Sequence, residues 1–188
     1  STRFIPENDS NGYDVLEVPS KAYQWIEWSP TGDQILMIND ASPIDIANVT
    51  CSPDTHICTA NIQNVDAKMW RGIPNWSPDG QFIATSESVY LGQEGDVWWK
   101  AWITLLDAQT GEVIRELSLV ESTVLGRIVW SPDGTLLASR QIDMGTVPWF
   151  VWSVESGELL YTTASTTVAF SPDSTILAVQ PSHDNVIV

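Results

Sequence analysis

In the stretch SESVYLGQEGDVWWKAW, residues 86 to 102, four aromatic side chains (Tyr90, Trp98, Trp99 and Trp102) stand beside two acids, Glu94 and Asp96. Aromatic plates flanked by carboxylates suit a sugar ring or a cationic side chain. Neighbours in an extended strand point to opposite faces, so Trp98 and Trp99 cannot share one buried layer. One of them is therefore expected at a binding surface, and the plainer alternative is that both pack against flanking structure.

A second chemical constellation is Cys51 and Cys58 in CSPDTHIC, with the turn formers Pro53 and Asp54 between them. Such a pair reaches disulfide distance across a turn, and closing so small a loop contributes about 2 to 3 kcal/mol. A disulfide implies an oxidising, extracytoplasmic compartment, whereas two free thiols imply a reducing cytosol. His56 lies between the cysteines, but the only other histidine is His183. A tetrahedral metal set is not completed, and no metal or cofactor is expected. Asp40, Asp45 and Asp54 follow no calcium-loop spacing, and a solvated loop tied by Cys51 and Cys58 is the expectation. Asn8-Asp9-Ser10 and Asn48-Val49-Thr50 match the glycosylation acceptor pattern in polar, turn-like surroundings. Asn75-Trp76-Ser77 matches too, but Pro78 follows it.

Charge narrows the partners. There are 24 acidic residues against 8 Lys and Arg, a net of −16. Eight scattered cations do not assemble the basic patch that nucleic acid requires, and an anionic membrane surface repels this chain. No run of eighteen apolar residues is present, so no membrane insertion is expected, and the opening STRFIPENDSNG has no hydrophobic leader core. The absence of an initial Met is compatible with a removed upstream segment. No G-x-S-x-G, P-loop, H-E-x-x-H or paired zinc signature occurs, so the chain is expected not to be an enzyme. A glycosidase pair of carboxylates leaves no local pattern, and 24 acids give no basis for choosing one.

These residues must be positioned by something periodic. WSPDG stands at 76–80 and 130–134, with WSPTG at 28–32 and FSPDS at 170–174, so the opening aromatics Trp28, Trp76, Trp130 and Phe170 fall 48, 54 and 40 residues apart. Repetition at this period marks a propeller or a solenoid. Short apolar runs flank each phrase: YQWIEW, RGIPNW, LGRIVW and TTVAF before it, DQILMI, QFIATS, TLLASR and TILAVQ after it. Both sets are strand-like and show no helical period.

The phrase itself reads as a hairpin turn. Ser77 and Ser131 bond back to the turn, Pro78 and Pro132 preset φ at its first corner, and Asp79 and Asp133 take the second. Gly80 and Gly134 supply the positive φ that re-enters the next strand. Ser174 holds the glycine position in the last copy, where a side chain costs about 1 kcal/mol. WITLLDAQTGEVIREL and FVWSVESGELLYTT add third and fourth strands hinged at Gly111 and Gly157. Four strands per period make a propeller blade. The expected fold class is all-β, a β-propeller with four recognisable blades of four-stranded antiparallel sheet, expected as part of a larger ring.

The aromatic-Ser-Pro-Asp-Gly phrase followed by an apolar strand resembles the repeats of TolB-like and bacterial WD-repeat-like propellers, from about residue 22 onward. LDAQTGE and WSVESGE resemble the close of a WD repeat, each keeping half of its Trp-Asp pair as Asp107 and Trp152. With two histidines, the Gly-His element of eukaryotic WD repeats is missing. The first repeat lacks a Gly hinge, so HICTANIQNVDAKMW is expected to supply its later strands in degenerate form.

Blades are expected at about 22–70, 71–122 and 123–163, with an incomplete one at 164–188. Residues 1–21 form an N-terminal segment in which YDVLEV, 13–18, either completes the last blade or leaves the chain as part of a longer propeller, the expected case. The function implied is a noncatalytic scaffold, extracytoplasmic, that binds a protein partner or self-associates through blade faces. The alternatives are a carbohydrate- or peptide-binding propeller region of a larger hydrolase, since TolB-like blades resemble those that gate certain serine peptidases, and a cytoplasmic location.

Overall fold

The computed structural model describes residues 2–4, 16, 23–39, 42–52, 58–65, 73–92, 99–118, 120–121, 124–142 and 148–181. All regular structure among them is β-strand. The chain divides into two compact units, Ser1–Lys68 and Met69–Val188.

The first unit is one antiparallel sheet. Its strands are β1 (Thr2–Phe4), β2 (Tyr23–Trp28), β3 (Gln34–Asn39), β4 (Ser42–Cys51) and β5 (Cys58–Val65), in the order β1-β5-β4-β3-β2. The third strand of this repeat is thus SPIDIANVTC, upstream of the stretch from which the sequence led us to expect it, and β5 is the fourth. Pro43, Asp45 and Asn48 are poor strand formers, and tertiary pairing overrides them. Alternation sends Ile35, Met37, Ala47 and Ala60 to one face as a buried cluster, with Leu16, Tyr23, Val49 and Ile62 at its margin. Apart from Leu16, the possible closing strand at 13–18 lies outside the described residues.

The second unit holds two sheets. One contains β6 (Asn75–Trp76), β7 (Phe82–Tyr90), β8 (Trp99–Asp107), β9 (Val113–Glu116) and β10 (Val120–Glu121), with β9 and β10 sharing the outer flank of β8. The other runs β11 (Leu125–Trp130), β12 (Leu136–Gln141), β13 (Pro148–Ser153), β14 (Leu159–Phe170) and β15 (Leu177–Pro181) in chain order. Strand β14 serves twice. Its first half closes the third repeat against β13, and its second half opens the fourth against β15.

The core lies between these layers. Ala84, Ala101, Ile103 and Leu105 meet Leu125, Ile128, Trp130, Leu137, Phe150 and Trp152 in one cluster. On the far side of the third repeat, Ala138, Trp149 and Val151 meet Val168, with Phe170 and Leu177 at the margin. The second and third repeats therefore each present the residue eight places after their aromatic (Ala84, Ala138) to the residue seven places after the aromatic of the next repeat (Leu137, Leu177). We call these the trailing and leading faces. Small alanines on the trailing face admit the large rings of the following leading face, which is how interiors reach close packing.

Candidate functional site

The four copies of the turn phrase share one geometry. In each, the residue at the glycine position donates its backbone N–H to the phrase's serine carbonyl: Gly32 to Ser29 at 3.0 Å, and Gly80 to Ser77, Gly134 to Ser131 and Ser174 to Ser171 at 2.9 Å. All four have positive φ, including Ser174 at 60°. The serine hydroxyl accepts the N–H of the following strand's first residue, as in Phe82 to Ser77 and Leu136 to Ser131, both at 2.9 Å. It also donates to the turn aspartate at 2.6 Å, in Ser77 to Asp79, Ser131 to Asp133 and Ser171 to Asp173. The first copy has Thr31 in place of Asp and borrows Asp33, to which Ser29 donates at 3.2 Å.

In the first, third and fourth copies these bonds hold the carboxylate in its charged form. The Ser131 hydroxyl, with Thr135, brings Asp133 down to about 2. Asp173 is lowered by Ser171 and Thr175, and Asp33 by Thr31 and Ser29. Asp107, which accepts the N–H groups of Thr110 at 2.7 Å and Gln109 at 2.9 Å, is lowered in the same way. These acids are occupied in shaping turns.

The aromatic stretch at 86–102 forms the far end of the β7–β8 ladder. Tyr90 and Trp99 are register partners whose ring centroids lie 5.1 Å apart at 58°. Both are at least partly open to solvent. Trp102 lies three residues from Trp99 and so on the opposite face, in register with Glu87. Its indole nitrogen is buried, and among the described residues no acceptor meets it. The structure thus joins Tyr90 with Trp99 and separates Trp102 from them; Trp98, Glu94 and Asp96 lie outside the described residues.

Cys51 and Cys58 are bonded, and they are register partners at the tip of the β4–β5 hairpin. Asn48 lies mid-strand in β4, where its side-chain oxygen accepts from Gln34 at 2.8 Å, so its surroundings are not turn-like as its sequence suggested. Asn8 lies outside the described residues. So do Asp40, Asp54, His56 and His183. Among the described residues no group of three or more metal-ligating side chains occurs, and no helix is long and apolar enough to cross a membrane.

A buried polar network escaped the sequence reading. Asp45 is fully buried and accepts hydrogen bonds from the Tyr23 hydroxyl at 2.6 Å and the Asn64 amide at 2.7 Å. Burial, and then Asp45, push the Tyr23 phenol above its usual range. The signal was present in the alternation of SPIDIAN, which puts Asp45 on the same face as Ala47 rather than in a loop. Glu27 is pushed upward by burial, opposed by the Trp25 side chain.

The chain is similar in fold to solved β-propeller structures. It is similar to the WD40 repeats of RRP9 with a TM-score of 0.54 and 12% identity, over 81% of this chain and 42% of that one. It is also similar to TolB from Acinetobacter baumannii with a TM-score of 0.50 and 17% identity, over 87% of this chain and 39% of that one. The fold is a β-propeller, and the chain spans about two fifths of the length of these solved chains. No family model and no curated protein sequence matches it.

Proposed function

We propose that this chain is a noncatalytic propeller scaffold that works by protein–protein interaction or assembly in an extracytoplasmic compartment. One observation carries the reading. Val113 and Ile114 on β9 and Leu160 and Tyr161 on β14 are all more than half exposed, so the outer strands of two successive blades offer apolar side chains to solvent. Monomeric surfaces rarely leave apolar patches without a use. Asp33, Asp133 and Asp173 in the turns, by contrast, are held charged by structural hydrogen bonds. The Cys51–Cys58 bond supports the oxidising compartment.

Photocrosslinkers placed at Ile114 and Tyr161 in the source cell test this reading, and each is expected to capture a discrete protein. Hydrolysis of an ester, peptide or glycoside panel at a rate lost in Glu27→Gln would overturn it. A second reading, carbohydrate or peptide binding, is favoured by the paired rings of Tyr90 and Trp99. Tryptophan fluorescence during titration with oligosaccharides and peptides tests that reading. A shift lost in Trp99→Ala supports binding, and silence across the panel removes it.

A further inference from the structure

The β7–β8 hairpin is longer than its blade requires. Both strands have nine residues, whereas β12 and β13, their counterparts in the third repeat, have six each. The added length ends on Tyr90 opposite Trp99, and Ser88 opposite Ala101 and Ser86 opposite Ile103 come before it. Alternation puts these six side chains on one face, the trailing face of the second repeat. Ala101 and Ile103 belong to the core cluster, so the two rings stand where the packed layer ends.

The serines set this face apart. Ser86 is 1% exposed and Ser88 9%, and among the described residues neither hydroxyl meets a partner. The same places in the third repeat, ten and twelve residues after its aromatic, hold Arg140 and Ile142, so the repeat does not call for hydroxyls there. A buried hydroxyl without a partner is costly, and its presence in a native fold calls for an explanation. Tyr90, just beyond Ser88, is 48% exposed.

We propose that Tyr90, Trp99 and Ser88 form a subsite for a neutral pyranose residue of a glycan, an inference that rests on the carbohydrate or peptide reading above. The apolar C–H face of a pyranose lies against an aromatic ring, and its hydroxyls offer Ser88 both a donor and an acceptor. The surroundings of the rings favour a ligand without charge. Lys100, the one cation of the two strands, is on the opposite face in register with Val89 and pairs with Glu121 at 3.7 Å. Glu87 is also on the opposite face, where it accepts the Thr104 hydroxyl at 2.5 Å, and Asp107 lies at the other end of the ladder. The net charge of −16 repels uronic and sialic acids besides. The Ser88 oxygen is closed to solvent, and a swing of the half-exposed Tyr90 ring uncovers it, a rotamer change that exposed side chains make in picoseconds to nanoseconds.

Isothermal titration calorimetry of the 188-residue chain with cellohexaose, maltohexaose, chitohexaose and mannohexaose tests the inference, with hexagalacturonate and octa-arginine as charged comparisons. At least one neutral hexaose is expected to bind, with an affinity that salt leaves unchanged, and hexagalacturonate is expected not to bind. Trp99→Leu is expected to weaken that binding by about tenfold, and Ser88→Ala by about threefold to tenfold. Tyr90→Leu, at a half-exposed position, serves where Trp99→Leu fails to fold by circular dichroism. Ser88→Ala and Ser86→Ala each delete a hydroxyl that lacks a partner, so both variants are expected to melt no lower than the parent. Ser86 lies deeper, so Ser86→Ala is expected to bind as the parent does, and so is Tyr161→Ala, which removes an exposed ring elsewhere.

Silence toward all four neutral hexaoses overturns the inference. If octa-arginine alone binds, and Trp99→Leu abolishes that binding, the pyranose subsite is overturned while the peptide half of the reading it rests on survives; silence toward every probe counts against both. Sugar binding that Ser88→Ala leaves unchanged, or a Ser88→Ala chain that melts below the parent, also overturns the subsite. The crosslinks at Ile114 and Tyr161 use other surfaces, so the scaffold reading keeps its own test.

Discussion

The hydroxyl oxygen of Ser174 accepts the backbone N–H of Asp133 at 3.0 Å, tying the fourth motif turn to the third across 41 residues of sequence. This contact accounts for a serine where the other three copies carry glycine. Its φ of 60° is costly for a residue with a side chain, by about 1 kcal/mol. An exposed neutral hydrogen bond returns about 0.5 to 1 kcal/mol of that.

The two effects separate by substitution. Ser174→Ala keeps the strain and loses the bond, and is expected to destabilise the second unit by about 0.5 to 1 kcal/mol. Ser174→Gly loses the bond and the strain together, and is expected to lie within about 0.5 kcal/mol of the unaltered chain. Urea midpoints of the three proteins decide it. An alanine variant as stable as the glycine variant would show that φ at this position carries no cost.

Acid titration probes the turn carboxylates. Asp133 is held at about 2, below the ordinary carboxylate value of 3.8, first by the Ser131 hydroxyl and then by Thr135. A depressed acid stabilises the fold above its unfolded value and loses that contribution as pH falls through the folded one. Asp133→Asn is therefore expected to melt slightly lower than the parent at pH 6, by about 1 °C because the group is exposed. The difference should close between pH 4 and pH 2. A gap that persists at pH 2 would mean that the side chain acts by shape rather than charge.

How far the sequence reveals this architecture depends on where the fixing interactions lie. The turns were legible because Ser77, Pro78, Asp79 and Gly80 act on one another within five residues, and the same local chemistry recurs at Ser131 to Gly134. Strand β4 was not, because its pairing with β3 and β5 is long-range and its composition, with Pro43 and Asp45, argues against a strand. Strand β1, three residues paired among the described residues with β5, carries no local signal at all. The aromatic stretch was legible as composition. Which rings meet is set by the β7–β8 register, which pairs Tyr90 with Trp99 and sends Trp102 to the other face. The Asp45 network needed strands β2, β4 and β5 in place before its three members could be seen as neighbours.

The Cys51–Cys58 bond closes a ladder that is already in register from Ile44 and Val65 to its tip. The chain-entropy estimate for so short a loop is about 2 to 3 kcal/mol. Residual pairing of the hairpin in the unfolded chain reduces the gain, so Cys51→Ser with Cys58→Ser is expected to cost about 1 to 2 kcal/mol. The loss should appear in the first unit. Hydrogen exchange resolved by segment checks this: faster exchange over 44–65 with 99–118 unchanged is the expected pattern. Unchanged exchange at 44–65 would show that the strand ladder alone holds the hairpin.

Tyr23 and Asp45 offer the sharpest energetic test in the first unit, because the acid is fully buried and the phenol is one of the groups that make its charge tolerable. Tyr23→Phe keeps the ring and removes a hydrogen bond to a buried charged acceptor, a loss of about 1.5 to 3 kcal/mol. The phenol also titrates above its ordinary value of 10.0, chiefly through burial and then through Asp45. A raised folded value means the contribution is complete below pH 10 and declines as pH rises beyond it, since only the unfolded chain ionises there. Denaturant midpoints at pH 7 and pH 11 should thus show Tyr23→Phe well below the parent at the lower pH and nearer to it at the higher one. Equal gaps at both would mean that the hydroxyl is ionised alike in the folded and unfolded chain. No gap at pH 7 would mean that Asn64 and its surroundings hold the Asp45 carboxylate without the phenol.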